Sequence, residues 1–348
     1  MINEEKVLFG LNTFGDIATY ASGKRLSDAA SIRLVVEEAV LADRLGIDVI
    51  GIGEHHREEY AVSSPETVLA GIATLTEQIT LATAVTVLSS DDPVRVYQRF
   101  ATVDALSNGR AQVMLGRGSF TESFPLFGYD LQNYNELFEE KVAMFVKILE
   151  EKPLSWQGEF TQSLEDIDIF PKTESGKLDT WIGVGGSPES IIRTARYGFP
   201  LMLAIIGGDP IRFKAYIDLY RRAAQQLGTT IYPVGMHSHG LIADTDGEAF
   251  DLAWKHIKKS FDTIGQSRGW TPMTKSQFEH EVEHGSYYVG SAETVAKKMA
   301  SAIERLGVGR FDLVYGAGLQ SVEVRQKTIE LYGQEVIPKV KQLLTKEH

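Results

Sequence analysis

The sequence predicts a (β/α)8 barrel. Eight short apolar runs alternate with longer amphipathic stretches from one end of the chain to the other. Most of the runs are near-continuous in Val, Ile and Leu, as strands buried on both faces are. No Pro-, Ser- or charge-rich linker divides the 348 residues. Eight parallel strands in series fit a closed barrel more simply than the competing doubly wound sheet, and we expect one domain over residues 1–348.

The elements follow in order. Run 7–11 precedes a helix over 31–45, in which Ile32, Val35, Val36, Ala39 and Leu45 lie near one face. Runs 48–52 and 79–88 precede helices over 65–75 and 94–106. Runs 110–115, 180–184 and 200–205 precede helices over 135–149, 188–197 and 211–227. Run 234–242 leads to helices over 248–264 and 292–306, and run 311–315 leads to a last helix over 322–343. Ser64-Pro65, Asp92-Pro93, Ser187-Pro188 and Asp209-Pro210 each set a capping oxygen before a proline at the first helical position, and Ser291 caps another helix. Gly46, Gly198, Gly228 and Gly307 mark helix exits. Two segments interrupt the alternation. Residues 153–170 read as a short hairpin turning at Gly158, and residues 265–289 read as a long, lid-like insertion, since loops of that length in a compact domain are usually functional.

Composition removes several classes. With 43% apolar and 24% charged residues the chain is globular and large enough for its own core. A net charge of −12, from 35 Lys and Arg against 47 Asp and Glu, leaves no electrostatic footprint for nucleic acid. The absence of Cys excludes a disulfide framework, a thiolate metal site and a Cys nucleophile. Neither a secretory leader nor an apolar run of about 20 residues is present, so we expect a soluble, cytoplasmic protein.

In a barrel of this kind, chemistry sits at the C-terminal strand ends. After the second run comes Gly51-Ile52-Gly53-Glu54-His55-His56. Period-two geometry puts Gly51, Gly53 and His55 on one face, so that a flat group has room beneath the His. His55 is a candidate general acid/base, oriented or charged by Glu54, or else a structural His in a polar loop. After the fourth run, Gly116-Arg117-Gly118-Ser119 suits an anion or a surface ion pair. After the fifth, Gly183-Val184-Gly185-Gly186-Ser187-Pro188 opens a helix with free amides, an anion site or an ordinary tight turn. His237 and His239 are two apart on the seventh run, yet the other strand ends offer a poor set of further ligands, and no metal site is expected.

These residues resemble the bacterial luciferase-like flavin monooxygenases. The resemblance covers essentially the whole chain and rests on the order and spacing of five blocks. They are Gly53-Glu54-His55-His56, Ala82-Thr83-Ala84-Val85, Asp92-Pro93-Val94-Arg95, Asp104-Ala105-Leu106-Ser107-Asn108-Gly109-Arg110 leading into Gly116-Arg117-Gly118, and Gly185-Gly186-Ser187-Pro188 followed by Ala195-Arg196-Tyr197-Gly198. It implies a flavin at the C-terminal mouth, with His55 catalytic and Arg117, Gly185, Gly186, Ser187 and Ser190 around the phosphate. Ala84 and Val85 would lie against the flavin ring across a non-proline cis peptide. The luciferases have an acidic residue where Gly186 stands and a basic one where Asn135 stands, so Ser119 or Tyr134 would complete the phosphate shell. The activity implied is oxygenation of a small organic substrate with reduced FMN and O2. A separate flavin reductase would supply the FMN, the assembly would be a homodimer, and no useful light is expected. A deazaflavin-dependent dehydrogenase or reductase on the same barrel is the alternative, and a non-catalytic flavin-binding protein is a third reading. Relatives of this kind process long-chain aldehydes, alkanesulfonates, cyclic ketones and aromatic compounds, and the resemblance does not choose among them.

Overall fold

A computed structural model describes residues 7–346. In chain order its strands are β1 (Leu8–Thr13), β2 (Val49–Ile52), β3 (Thr80–Thr83), β4 (Thr86–Val87), β5 (Ala111–Gly116), β6 (Leu154–Trp156), β7 (Leu164–Ile167), β8 (Asp179–Val184), β9 (Leu201–Ala204), β10 (Gly235–Ile242), β11 (Tyr288–Gly290) and β12 (Arg310–Val314). Eight of them, β1, β2, β3, β5, β8, β9, β10 and β12, pair in parallel in that order, and β12 returns to β1 to close the barrel. β4 continues the third position along β5, and β11 extends β10 at its end. The expected hairpin at 153–170 is present as the antiparallel pair β6–β7.

The helices are α1 (Asp28–Arg44), α2 (Pro65–Ala73), α3 (Pro93–Leu106), α4 (Ser123–Leu126), α5 (Tyr134–Ile148), α6 (Pro188–Arg196), α7 (Lys214–Leu227), α8 (Asp246–Arg268), α9 (Lys275–Glu283), α10 (Ala292–Leu306), α11 (Val322–Leu331) and α12 (Ile337–Lys346). Alternate strand residues such as Ile50, Ile52, Val113, Leu115, Ile182 and Leu313 face them and fill the outer core. The helix expected over 322–343 is interrupted by a π turn at Tyr332–Val336. Pro338 has no N–H to give the carbonyl one turn earlier, which accounts for the wider turn there.

The other strand parity points into the barrel. At the N-terminal end Arg310 donates to both oxygens of Asp312 (2.8 and 2.7 Å) and to Gln112 Oε1 (2.6 Å), with its guanidinium over the Trp181 ring. All four residues are buried, so the barrel has a polar floor. Above it Met114, Trp181 and Met202 form an apolar layer against Val85.

The insertion at 265–289 differs from the long loop expected. α8 runs to Arg268, and α9 begins at a capping box in which Thr274 and Gln277 satisfy each other's backbone N–H. Lys298 Nζ donates to the carbonyls of Val282 (2.6 Å) and Tyr287 (2.8 Å), and both oxygens of Glu281 accept from Gly208 N at 2.9 Å. The segment is therefore a helix–turn–helix fastened at its far end.

A second buried polar group ties α1 to α11. Arg325 donates from Nε and Nη2 to the two oxygens of Glu38 (2.7 Å each) and from Nη1 to the Asp16 carbonyl (3.1 Å). Tyr315 OH also donates to Glu38 (2.8 Å). Glu38 and Arg325 side chains are 0% exposed.

Candidate active site

The mouth is built from the C-terminal ends of β1, β2, β3, β5, β8 and β10. Gly51 and Gly53 share the inward face, as the alternation requires. A Cβ on Gly51 would lie 2.1 Å from Asn12 Oδ1, and one on Gly53 would lie 3.0 Å from the Phe14 ring. His55 continues that face. Its Nδ1–H donates to the Glu54 carbonyl, which leaves Nε2 as the bare nitrogen, buried and without a hydrogen-bond partner among the described residues. The ring stands among Tyr60 (4.2 Å between centroids), Phe120 (5.2 Å) and Phe14 (5.3 Å). Burial, reinforced by the neighbouring charges of His56 and Arg57, lowers its pKa to about 3. His55 is thus a neutral imidazole presenting a proton-accepting nitrogen.

Glu54 does not serve His55 in the way expected. Its Oε1 accepts from His56 Nε2 (3.0 Å) and its Oε2 accepts from Val87 N (2.8 Å). Glu54 and His56 are two residues apart in an extended segment, so they share a side while His55 points to the other. The expectation that the carboxylate would orient His55 and raise its pKa is corrected: desolvation decides the direction.

Beside this wall, where Ala84 N donates to the Ile52 carbonyl (2.8 Å), the Ala84–Val85 peptide bond is cis, the geometry that the resemblance places there. Val85 occupies room that two glycines leave. A Cβ on Gly116 would sit 2.4 Å from its Cγ2, and one on Gly183 would sit 2.9 Å from its Cγ1.

The anion candidates lie on neighbouring strands, since β5 and β8 pair directly. Arg117 Nη1 donates to Asn135 Oδ1 (2.9 Å), and its guanidinium covers the Tyr134 ring at 5.3 Å. Tyr134 OH donates to the Gly118 carbonyl (2.8 Å), so its hydroxyl proton is already committed. Ser119 is exposed on the same loop. Gly185 has open space where a Cβ would be, and Gly186 has φ +108°, which favours glycine there. Ser187 caps α6 by accepting from Ser190 N (3.2 Å), and its hydroxyl donates to Ser190 Oγ (2.8 Å). One turn further on, Arg193 bonds through Nε to Glu139 and has a buried Nη1 without a partner among the described residues.

Several mouth residues escaped the sequence reading. Phe14, Tyr60 and Phe120 carry no motif. Arg193 stands three residues after Ser190, on the same side of α6, and that spacing was its only signal. His237 and His239 both point inward from β10, and Asn12 Nδ2 donates to His237 Nδ1 (3.1 Å). Among the described residues no three His, Asp or Glu side chains are grouped to hold a metal ion. A pocket of about 480 Å³, lined by Phe261, Trp270, Met273 and Glu281, opens beside the insertion.

Burial holds four histidines below the ordinary 6.5: His55 at about 3, and His237, His239 and His256 at about 4. Between those values and 6.5 the unfolded chain binds more protons than the fold, so stability is lost as pH falls through that window. Asp16, raised by burial to about 7, and Glu66, also raised by burial, have the opposite sign, but two such groups face four. Thermal unfolding between pH 7.5 and 4.5 is expected to show a falling Tm. His256→Leu, outside the mouth, should make the fall shallower, and an unchanged slope would contradict this account.

The luciferase-like monooxygenase family model matches residues 9–310. The chain belongs to the luciferase-like monooxygenase family. Luciferase-like relatives with named activities include the 3,6-diketocamphane 1,6-monooxygenase of Pseudomonas putida, 24% identical over 361 residues covering 88% of this chain and 92% of that one. An uncharacterized Sinorhizobium fredii protein, y4vJ, is 33% identical over 185 residues, which is 53% of this chain; that match spans about half (52%) of y4vJ. Among solved structures, the monooxygenase RslO1 of Streptomyces bottropensis has TM-score 0.82 at 22% identity, covering 95% and 99% of the two chains. The oxygenating constituent of P. putida 3,6-diketocamphane monooxygenase, solved with FMN, has TM-score 0.77 at 20% identity over 96% and 99%. A coenzyme F420-dependent tetrahydromethanopterin reductase of Methanopyrus kandleri has TM-score 0.68 at 18% identity over 96% and 99%. At these identities the structures establish the shared luciferase-like barrel, and the family supports an oxidoreductase. Among the described residues no helix is long and apolar enough to cross a membrane.

Proposed function

We propose that the protein is a monooxygenase that uses reduced FMN and O2 to oxygenate a small organic substrate. The observation that carries this is His55: a neutral imidazole whose proton is fixed on Nδ1 and whose bare Nε2 is buried without a partner among the described residues, at the mouth, one strand over from Ala84–Val85. The residues present fit a flavin. Gly185 and Gly186 leave the backbone accessible at the start of α6, where helix-end amides favour a phosphate. Arg117 and the free Nη1 of Arg193 supply charge, and Ser119, Ser187 and Ser190 supply hydroxyls. Ala84 and Val85 would lie against the ring. When bound and reduced, the flavin supplies the electrons that oxygen activation requires. His55 Nε2 accepts a proton at the reacting end, and Phe14, Tyr60 and Phe120 exclude water around it. A separate reductase as the source of reduced FMN, and a homodimer, belong to the same proposal.

Arg117→Ala is expected to weaken FMN binding by about 1.5–3 kcal/mol, the scale of a charge-assisted hydrogen bond, and to leave riboflavin, which lacks the phosphate, nearly unaffected. Fluorescence titration of both ligands measures this, and equal losses would remove Arg117 from the phosphate site. The F420-dependent likeness favours a second reading, deazaflavin-dependent hydride transfer. Oxygen consumption with reduced FMN supports the first reading, and turnover with reduced deazaflavin without oxygen uptake supports the second.

A further inference from the structure

The mouth contains an imidazole to which the proposed chemistry gives no task. His239, on the inward face of β10, makes no hydrogen bond among the described residues, and its Nδ1 is buried. A buried ring nitrogen without a partner is costly, which makes it a ready site for any polar atom that enters. The ring stands edge-on to Phe14 (6.1 Å) and to Tyr287 (6.3 Å). Phe14 also meets His55 at 5.3 Å. One phenyl ring therefore meets three imidazoles, those of His55, His237 and His239, and two of them carry a buried nitrogen without a partner among the described residues: Nε2 on His55 and Nδ1 on His239. Neither nitrogen of His239 is engaged, so the ring can take the tautomer that donates from Nδ1.

The surroundings discriminate by charge. Tyr60, Phe120, Phe14 and Tyr287 give the walls a largely hydrocarbon character. The cations near this side are spent. Arg57, beside Phe120, donates to Glu59 (3.2 Å twice) and Glu122 (2.7 Å), and Arg325 and Arg310 are held by Glu38 and Asp312. The histidines stay neutral through the physiological range because burial lowers them. Away from Arg117 and Arg193, an anionic head group against these rings would give up its water without meeting a free positive charge among the described residues.

We propose that His239 sets substrate choice by hydrogen-bonding a single neutral oxygen function, a carbonyl or hydroxyl, on an otherwise hydrocarbon substrate, and that sulfonates and carboxylates are refused. This rests on the oxygenation reading of the same mouth.

The test is calorimetric titration of the protein, alone and saturated with oxidised FMN, using two matched pairs: cyclohexanone against cyclohexanecarboxylate, and 2-octanone against octanoate. Within at least one pair the ketone is expected to bind about tenfold or more tighter than the carboxylate. His239→Phe, which keeps a ring and removes both nitrogens, should lower ketone affinity by about fivefold to tenfold and leave carboxylate binding where it was. His239→Gln, which keeps a donor, should recover part of the loss. Carboxylates that bind as well as ketones, ketones that fail to bind in both pairs, or a His239→Phe variant with wild-type ketone affinity would each overturn the proposal. FMN affinity, read from the same samples by fluorescence, tests the cofactor reading separately.

Discussion

His55→Ala is expected to lower turnover by about 10²–10⁴-fold, the usual contribution of a positioned acid/base, while flavin affinity stays within about threefold. The reason is local. The Glu54 carbonyl fixes the proton on Nδ1, and the aromatic surround keeps the opposite nitrogen bare. His56→Ala should act differently. It deprives Glu54 of its ring partner but leaves the hydrogen bond from Val87 N, so its effect on turnover should be the smaller one. Single-turnover oxidation of reduced FMN, with product and peroxide measured together, separates the two. Product formation at the wild-type rate in His55→Ala would give the proton-handling role to another group.

The largest stability effect is expected at Glu38. Glu38→Ala removes both acceptors of the Arg325 fork and the partner of Tyr315 OH, and leaves a guanidinium buried without a counter-charge. Breaking such a pair from one side costs about 3–5 kcal/mol. Removing both members together, as Glu38→Leu with Arg325→Met, should cost less than the single change, because no unpaired charge remains. Urea unfolding measures both. A Glu38→Ala loss below about 1 kcal/mol would show that water or Asp16 compensates the cation.

Local periodicity is what the sequence exposes well. The strands, the Ser-Pro and Asp-Pro helix starts and the shared face of Gly51, Gly53 and His55 all follow from spacings of two to four residues. Closure of the barrel depends on partners far apart in the chain. Asn12 meets His237 across 225 residues, and Arg310 meets Gln112 across 198, and no local pattern announces either pair. Adjacency in sequence points Glu54 at His55, whereas the two-residue alternation joins it to His56. Periodicity hides α9 in the insertion, because the Thr274–Gln277 capping box lies in a polar stretch with only a short apolar face behind it. The split of run 79–88 into β3 and β4 reflects the turn of the chain at Ala84–Val85, where the backbone leaves the regular ladder.

The polar floor has a consequence for traffic. With Arg310, Asp312, Gln112 and Trp181 closing the N-terminal end, the barrel is a blind well and not a tube. Everything that enters must leave by the same opening, so compounds occupying the well queue. The one seated deepest is the last to go, and a product lying above it delays the next cycle.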